Sequence, residues 1–100
     1  MARKIIWSSE AAKDVEAIFE YLLQTSPLYA KRFVIKTKEA AHSLKTFPER
    51  GRHVPEYPES GAREIFVDSF RFFYEVFFDC IEIKGVIHMA RDITKLAIFE

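Results

Sequence analysis

At 100 residues, 49% hydrophobic and 15% aromatic, the chain has enough apolar material for one filled core and too much for a disordered segment. Fifteen Lys and Arg offset fifteen Asp and Glu, so the formal net charge is zero, which argues against a general polyanion binder. The lone Cys80 excludes an intramolecular disulfide, no CxxC or Cys/His pairing suggests zinc, and no stretch fits a signal peptide or a membrane span. A single domain over residues 1–100 is expected, in a reducing cytoplasm, with no membrane partner, metal or cofactor.

Along the chain, "RKIIW" (3–7) is a short β-branched and aromatic run that predicts a strand. Ser8 and Ser9 then offer an N-cap, and Glu10 sits where a helix dipole favours an anion. Ala12, Val15, Ile18, Phe19, Leu22 and Leu23 share one helical face, which predicts a helix over 9–24. Trp7 and Tyr21 are expected to pack in the core or between helices.

"TSP" (25–27) ends that helix and starts another, because Ser26 can cap and Pro27 suits the first helical position. Ala30, Phe33, Val34, Ala40, Ala41, Leu44 and Phe47 keep helical spacing up to Pro48, so the second helix is placed at 27–47, with His42 a structural residue. The short connection implies an antiparallel hairpin. Charge is unevenly spread: residues 26–54 hold Lys31, Arg32, Lys36, Lys38, Lys45, Arg50 and Arg52 against Glu39 and Glu49, whereas 8–25 hold Glu10, Asp14, Glu16 and Glu20 against Lys13. In the second helix the cations fall mostly opposite the apolar face.

Residues 48–62 carry three prolines and two glycines, a composition that predicts a long loop without regular structure, functional or mobile, exposing Arg50, Arg52 and His53. "REIFV" (63–67) and "FRFFYEVFF" (70–78) predict two strands joined tightly at Asp68-Ser69. "CIEIKGVIHMA" (80–90) predicts a third, with Ile81, Ile83, Ile87 and Met89 on one face and Glu82, Lys84, Val86 and His88 on the other. The fold class is α+β: β-α-α-β-β-β, a helical hairpin across an antiparallel sheet whose central strand is 70–78 and whose N-terminal strand joins an edge.

Within that central strand, Phe70, Phe72, Tyr74, Val76 and Phe78 line one face and Arg71, Phe73, Glu75 and Phe77 the other. A guanidinium is rarely buried without a partner. Arg71 therefore either pairs with Glu75 or an acid on the next strand, or serves as a binding or catalytic cation. Arg63 and Arg71 flank the same hairpin and are expected to lie on one face, roughly opposite each other.

The pattern "W", "A..D....F.YL", "SP..A..F", "L..FPERGR.VPE", "REI.V..FR.FYEV" and "I.I..V.H.ARD", running over residues 3–92, resembles the RelE/ParE superfamily of toxins from type II toxin-antitoxin modules, and within it the ParE-like, plasmid stabilisation branch. The resemblance implies a cognate antitoxin as partner, in a groove between the helical hairpin and the sheet, and assembly as a homodimer or a hetero-oligomer with that antitoxin. For the target it implies DNA gyrase, bound and inhibited without catalysis. The alternative is a ribosome-dependent mRNA endonuclease of RelE type, and a further alternative is a member that binds antitoxin without toxicity.

RNA cleavage through a 2′-hydroxyl needs a base, an acid and cations for the developing charge. Arg63, Arg71 and Arg91 are the candidate cations, and His88, His53 or Glu49 the candidate proton carriers; Arg71 and Arg91 fall near functional arginines of RelE-type enzymes. Such enzymes also place a tyrosine near the C-terminus, whereas "TKLAIFE" has none. With net charge at zero, the gyrase reading is preferred, and Arg50, Arg52, Arg63, Arg71 and Arg91 are assigned to target or antitoxin binding, with Arg63, Arg71 and Arg91 as a small cationic patch on the mixed face of the sheet, next to the loop that carries Arg50 and Arg52.

Overall fold

In a computed structural model, described over residues 3–91, the chain forms β1 (Lys4–Trp7), α1 (Ser9–Thr25), α2 (Pro27–Thr46), β2 (Arg52–His53), β3 (Arg63–Val67), β4 (Phe70–Val76) and β5 (Cys80–His88). The tail "TKLAIFE" and the Asp92 partner considered for Arg91 lie outside the described residues.

Both helix starts follow from serine. The Ser8 hydroxyl accepts from Ala11 N at 3.0 Å and the Ser26 hydroxyl from Tyr29 N at 3.2 Å, each satisfying an amide that the helix itself leaves unpaired. Pro27 at the first helical position has no such amide to satisfy. Ala11, Leu22, Ala30, Phe33 and Leu44 face the sheet and meet Ile65, Phe72, Tyr74, Ile81 and Ile83 in the main core. Trp7 joins it edge-on to Phe72, with ring centroids 6.4 Å apart. Tyr21 does not; it is exposed, as is Phe47 at the end of α2.

The five strands form one sheet in the order β1-β5-β4-β3-β2. β4 is central as expected, and β1 takes an edge, but parallel to β5, so the sheet is mixed. The turn at Asp68-Ser69 closes the β3–β4 hairpin with Asp68 at φ 54°, a left-handed conformation that Asp tolerates better than most residues.

Two expectations about the sheet are corrected. The first concerns β5. The pairing of β4 with β5 steps from Phe73↔Gly85 to Tyr74↔Ile83, leaving Lys84 as an extra residue in a β-bulge. Beyond it every side chain changes face. Val86 joins Ile81 and Ile83 in the main core, while Ile87 crosses to the opposite side of the sheet. The bulge's backbone is satisfied by α1: Ser8 Oγ donates to Lys84 O at 3.0 Å, and Asp14 accepts from Val86 N at 2.9 Å. The Asp14 carboxyl is pushed up by burial, against the pull of this amide and of Arg91.

The second concerns residues 48–62, which hold the short strand β2 paired to β3 and a series of turns. The segment lies against the sheet face that the helices leave open. Val54, Ala62 and Tyr57 pack there on Phe73 and Ile87 as a small second core. Its entry is fixed by Tyr74, whose hydroxyl donates to Pro48 O at 2.8 Å and accepts from Gly51 N at 2.9 Å.

Candidate functional site

The hairpin register decides what Arg71 can do. With Val67 opposite Phe70, Arg71 lies opposite Phe66 and Glu64 opposite Phe73, all on the face covered by the 54–62 segment. Arg63 lies opposite Tyr74, on the other face. The expected side-by-side placement of Arg63 and Arg71 is therefore corrected: a two-residue turn places them on opposite sides of the sheet.

On its own face Arg71 is only 6% exposed and sits in an ion network. Its Nε donates to Glu64 Oε1 at 2.7 Å, and Nη2 makes a second, very short bond to the same oxygen. Nη1 and Nη2 also donate to the two oxygens of Glu56 at 3.0 and 2.9 Å, a bidentate pairing that suits a planar guanidinium. Glu64, whose side chain is fully buried, completes its own coordination with Arg52 Nε at 2.6 Å. The Arg71 guanidinium lies 5.0 Å from the centroid of the Phe73 ring, and that of Arg52 5.4 Å from Phe66. The row Arg52–Glu64–Arg71–Glu56 alternates in sign and sums to zero. Hydrogen bonds from Arg71 hold the Glu56 carboxyl below its ordinary range, and those same bonds are the leading reason that Arg71 holds its proton more tightly. Arg71 is thus the acid-paired residue of the two open readings; the acids are Glu64 on the next strand and Glu56 on the covering segment. Glu75, the other acid considered for it, pairs with Lys84 at 3.2 Å.

The remaining candidate residues are dispersed. Arg63 Nη1 donates to the carbonyls of Gly51 at 2.7 Å and Glu49 at 3.3 Å, so its charge closes the loop between α2 and β2. Glu49 is exposed; its carbonyl takes the Arg63 bond and its charge is felt by the Tyr74 hydroxyl. Arg50 donates to Ser43 Oγ at 2.6 Å. His53 is exposed in β2, beside Arg63 on β3. His88 ends β5 opposite Phe70, its ring edge-on to that phenylalanine at 5.6 Å and its Nδ1 accepting from Ala90 N. Arg91 is exposed just beyond β5, where its charge is felt by Asp14 of α1. With Arg63 and Arg71 on opposite faces, the expected patch of Arg63, Arg71 and Arg91 does not form.

Glu56 was absent from the sequence-derived candidates. It lies in an aperiodic segment, where no alternation announces which way a side chain turns. Among the described residues, no group of three or more His, Cys, Asp or Glu could hold a metal ion.

Two of the concavities flank α2 and bear on partner binding. A groove of about 750 Å³ runs between α1 and α2, with almost wholly apolar walls formed by Ala12, Val15, Phe19, Pro27, Val34 and Ile35 together with Glu16 and Lys31. A smaller hollow of about 320 Å³ lies between α2 and β3, where the sequence placed its groove, and is lined by Lys36, Glu39, Arg50, Phe66 and Asp68 among others. Of these two, the more apolar lies between the helices.

Comparison with known proteins follows the same outline. The family described as "ParE toxin of type II toxin-antitoxin system, parDE" matches residues 5–93. "Toxin RelE2" of Caulobacter vibrioides is 45% identical over 49 residues, which are 49% of this chain and 56% of that protein, so the match spans little more than half of that relative. A solved chain from the "Chromosomal ParDE TA system from P. aeruginosa" shares the fold at a TM-score of 0.68 and 22% identity, covering 87% of this chain and 96% of that one.

Proposed function

The chain belongs to the ParE toxin family of type II toxin-antitoxin systems, and from that premise we propose that it is a non-enzymatic cytoplasmic toxin that binds DNA gyrase and is neutralised by a cognate antitoxin. The observation that carries the reading is the separation that keeps His88 and Arg71 away from Arg63, so that of the groups RNA cleavage would have to bring together Arg63 has beside it His53 and the Glu49 carbonyl. An acid, a base and a cation acting on one phosphate must all come within hydrogen-bond reach of it. His88 pairs with Phe70, whereas Arg63 pairs with Tyr74. Four residues of β4 separate those levels, about 13 Å at strand rise. Arg71 is on the far face, already neutralised by two carboxylates. The zero net charge points the same way, since gripping a phosphate backbone draws on surplus Lys and Arg.

The antitoxin contact falls to the groove between α1 and α2. Its apolar walls suit the apolar stripe of an amphipathic helix, with Glu16 and Lys31 available to fix orientation. The toxin and the product of the adjoining small gene are expected to copurify.

A second reading, ribosome-dependent mRNA cleavage, draws on the likeness to Toxin RelE2 and on Arg50 and Arg52 beside the exposed Phe66. The deciding experiment incubates the purified protein with gyrase and supercoiled DNA and, separately, with translating ribosomes. Gyrase inhibition with intact mRNA is expected. Codon-specific cuts without any effect on gyrase would replace the first reading with the second.

A further inference from the structure

A protein that inhibits by binding needs a contact surface, and of the arginines expected to provide it Arg50, Arg52, Arg63 and Arg71 are engaged within the fold. The largest apolar exposure is elsewhere. Phe78, in the turn between β4 and β5, is 96% exposed, more than any other large hydrophobic side chain among the described residues, and Phe77 beside it is 41% exposed. Solvent gains nothing from two adjoining phenylalanines at the tip of a hairpin, and the core does not use Phe78.

The tip is held firmly. Phe77 N donates to Cys80 O at 2.8 Å, Lys4 N to Asp79 O at 3.1 Å, and Arg3 Nε to Phe77 O at 2.8 Å. The turn is thus tied to its own hairpin and to the N-terminal strand, so an aromatic presented here has little ordering left to lose on binding. It is also remote from the antitoxin groove. Phe70 stacks on Phe33 of α2 at 5.2 Å, next to groove residues Val34 and Ile35. The tip follows Val76, six residues further along β4, about 20 Å away at strand rise.

Resting on the gyrase reading above, we infer that the Phe77–Phe78 tip is the element that engages the protein target, with Phe78 entering an apolar pocket whose rim is of mixed charge, to meet Lys4 and Asp79 on either side of it. Aromatic anchors that fill a desolvated pocket are common energetic centres of protein interfaces. A nucleic-acid wedge is the poorer fit: an aromatic inserted between bases is normally backed by a continuous basic surface, and here Asp79 lies in the same turn as the phenylalanines.

The test titrates wild type, Phe78→Ser and Phe78→Tyr against gyrase supercoiling, with melting temperatures and antitoxin copurification measured in parallel. Phe78→Ser is expected to raise the half-inhibitory concentration on the order of 10-fold or more, with melting and antitoxin binding unchanged, while Phe78→Tyr stays close to wild type. Undiminished inhibition by Phe78→Ser would overturn the inference and leave the gyrase reading standing. Phe78-dependent binding of a short DNA duplex without gyrase would overturn it in favour of a nucleic-acid contact. A wild-type protein without effect on gyrase removes the functional reading, and this inference with it.

Discussion

Replacing Arg71 by methionine gives the sharpest test of the buried ion network. Methionine keeps an unbranched apolar stem but loses the guanidinium that lies over Phe73, and it leaves the fully buried Glu64 carboxylate with Arg52 alone. Removing one member of a buried pair typically costs about 3–5 kcal/mol, because the survivor's desolvation is no longer offset. Retention of the Arg52 contact places the expectation near the lower end, about 3 kcal/mol. The double variant Arg71→Met/Glu64→Leu removes the orphaned charge as well and is expected to regain most of the loss, since an apolar pair of similar volume is often as stable as the ion pair. Urea denaturation of both variants measures this. A single variant as stable as wild type, or a double variant no better than the single, would refute the argument. The pH dependence supplies an independent check. The folded-state pKa of Glu56 lies below its ordinary value of 4.5, so the stability it contributes is present above that value and lost as the pH falls through the folded one. Arg71, the first cause of that shift, is absent from the single variant. The gap between wild type and Arg71→Met should therefore narrow as the pH is lowered from neutrality.

Tyr74→Phe leaves the buried Gly51 amide without its acceptor and is expected to cost about 1–3 kcal/mol in a denaturation experiment. Gly51→Ala would set a methyl 2.5 Å from the Tyr74 hydroxyl oxygen and 2.6 Å from Glu64 O, so the loop must shift, at about 1–3 kcal/mol; an unchanged melting temperature would show that the loop has room. Ser8→Ala removes both the cap of α1 and the donor to the bulge carbonyl, and a loss of about 0.5–2 kcal/mol is expected by the same measurement. Thr37, 3% exposed in α2, has a hydroxyl without a hydrogen-bond partner among the described residues. Thr37→Val should therefore leave stability unchanged or raise it by about 1 kcal/mol, and a clear loss would reveal a partner.

The helices were legible because serine caps, Pro27 and apolar spacing agree, and the expected limits of 9–24 and 27–47 differ from the observed ones by one residue at each C-terminus. The β3–β4 hairpin was legible for a similar reason. The relative placement of Arg63 and Arg71 was also contained in the sequence, since a turn at 68–69 puts 63 opposite 74 and 71 opposite 66; alternation then separates them. The faces of β5 beyond Lys84 were not legible. A bulge adds one residue without any local mark, and period-two reading fails from that point on. Nor was the contact of Glu56 with Arg71, which depends on how an aperiodic segment folds over a sheet. The burial of Thr37 in an otherwise apolar stripe was hidden by residue type.

The parallel pairing of β1 with β5 joins the first described strand to the last: Ser8 bonds to Lys84 across a separation of 76 residues. During synthesis this seam is the last to close, because the strand that receives β1 is made after everything else in the sheet. A nascent chain on the ribosome therefore holds its first strand unpartnered until residues 80–88 have emerged. Until then Arg3 and Lys4 have no turn to fasten. A chain ending at Asp79 is expected to lack the cooperative thermal transition of the whole protein, and a sharp transition in that truncation would show that the seam is dispensable. The sheet is thus complete only once β5 has been made, and β1 waits through the synthesis of everything between them.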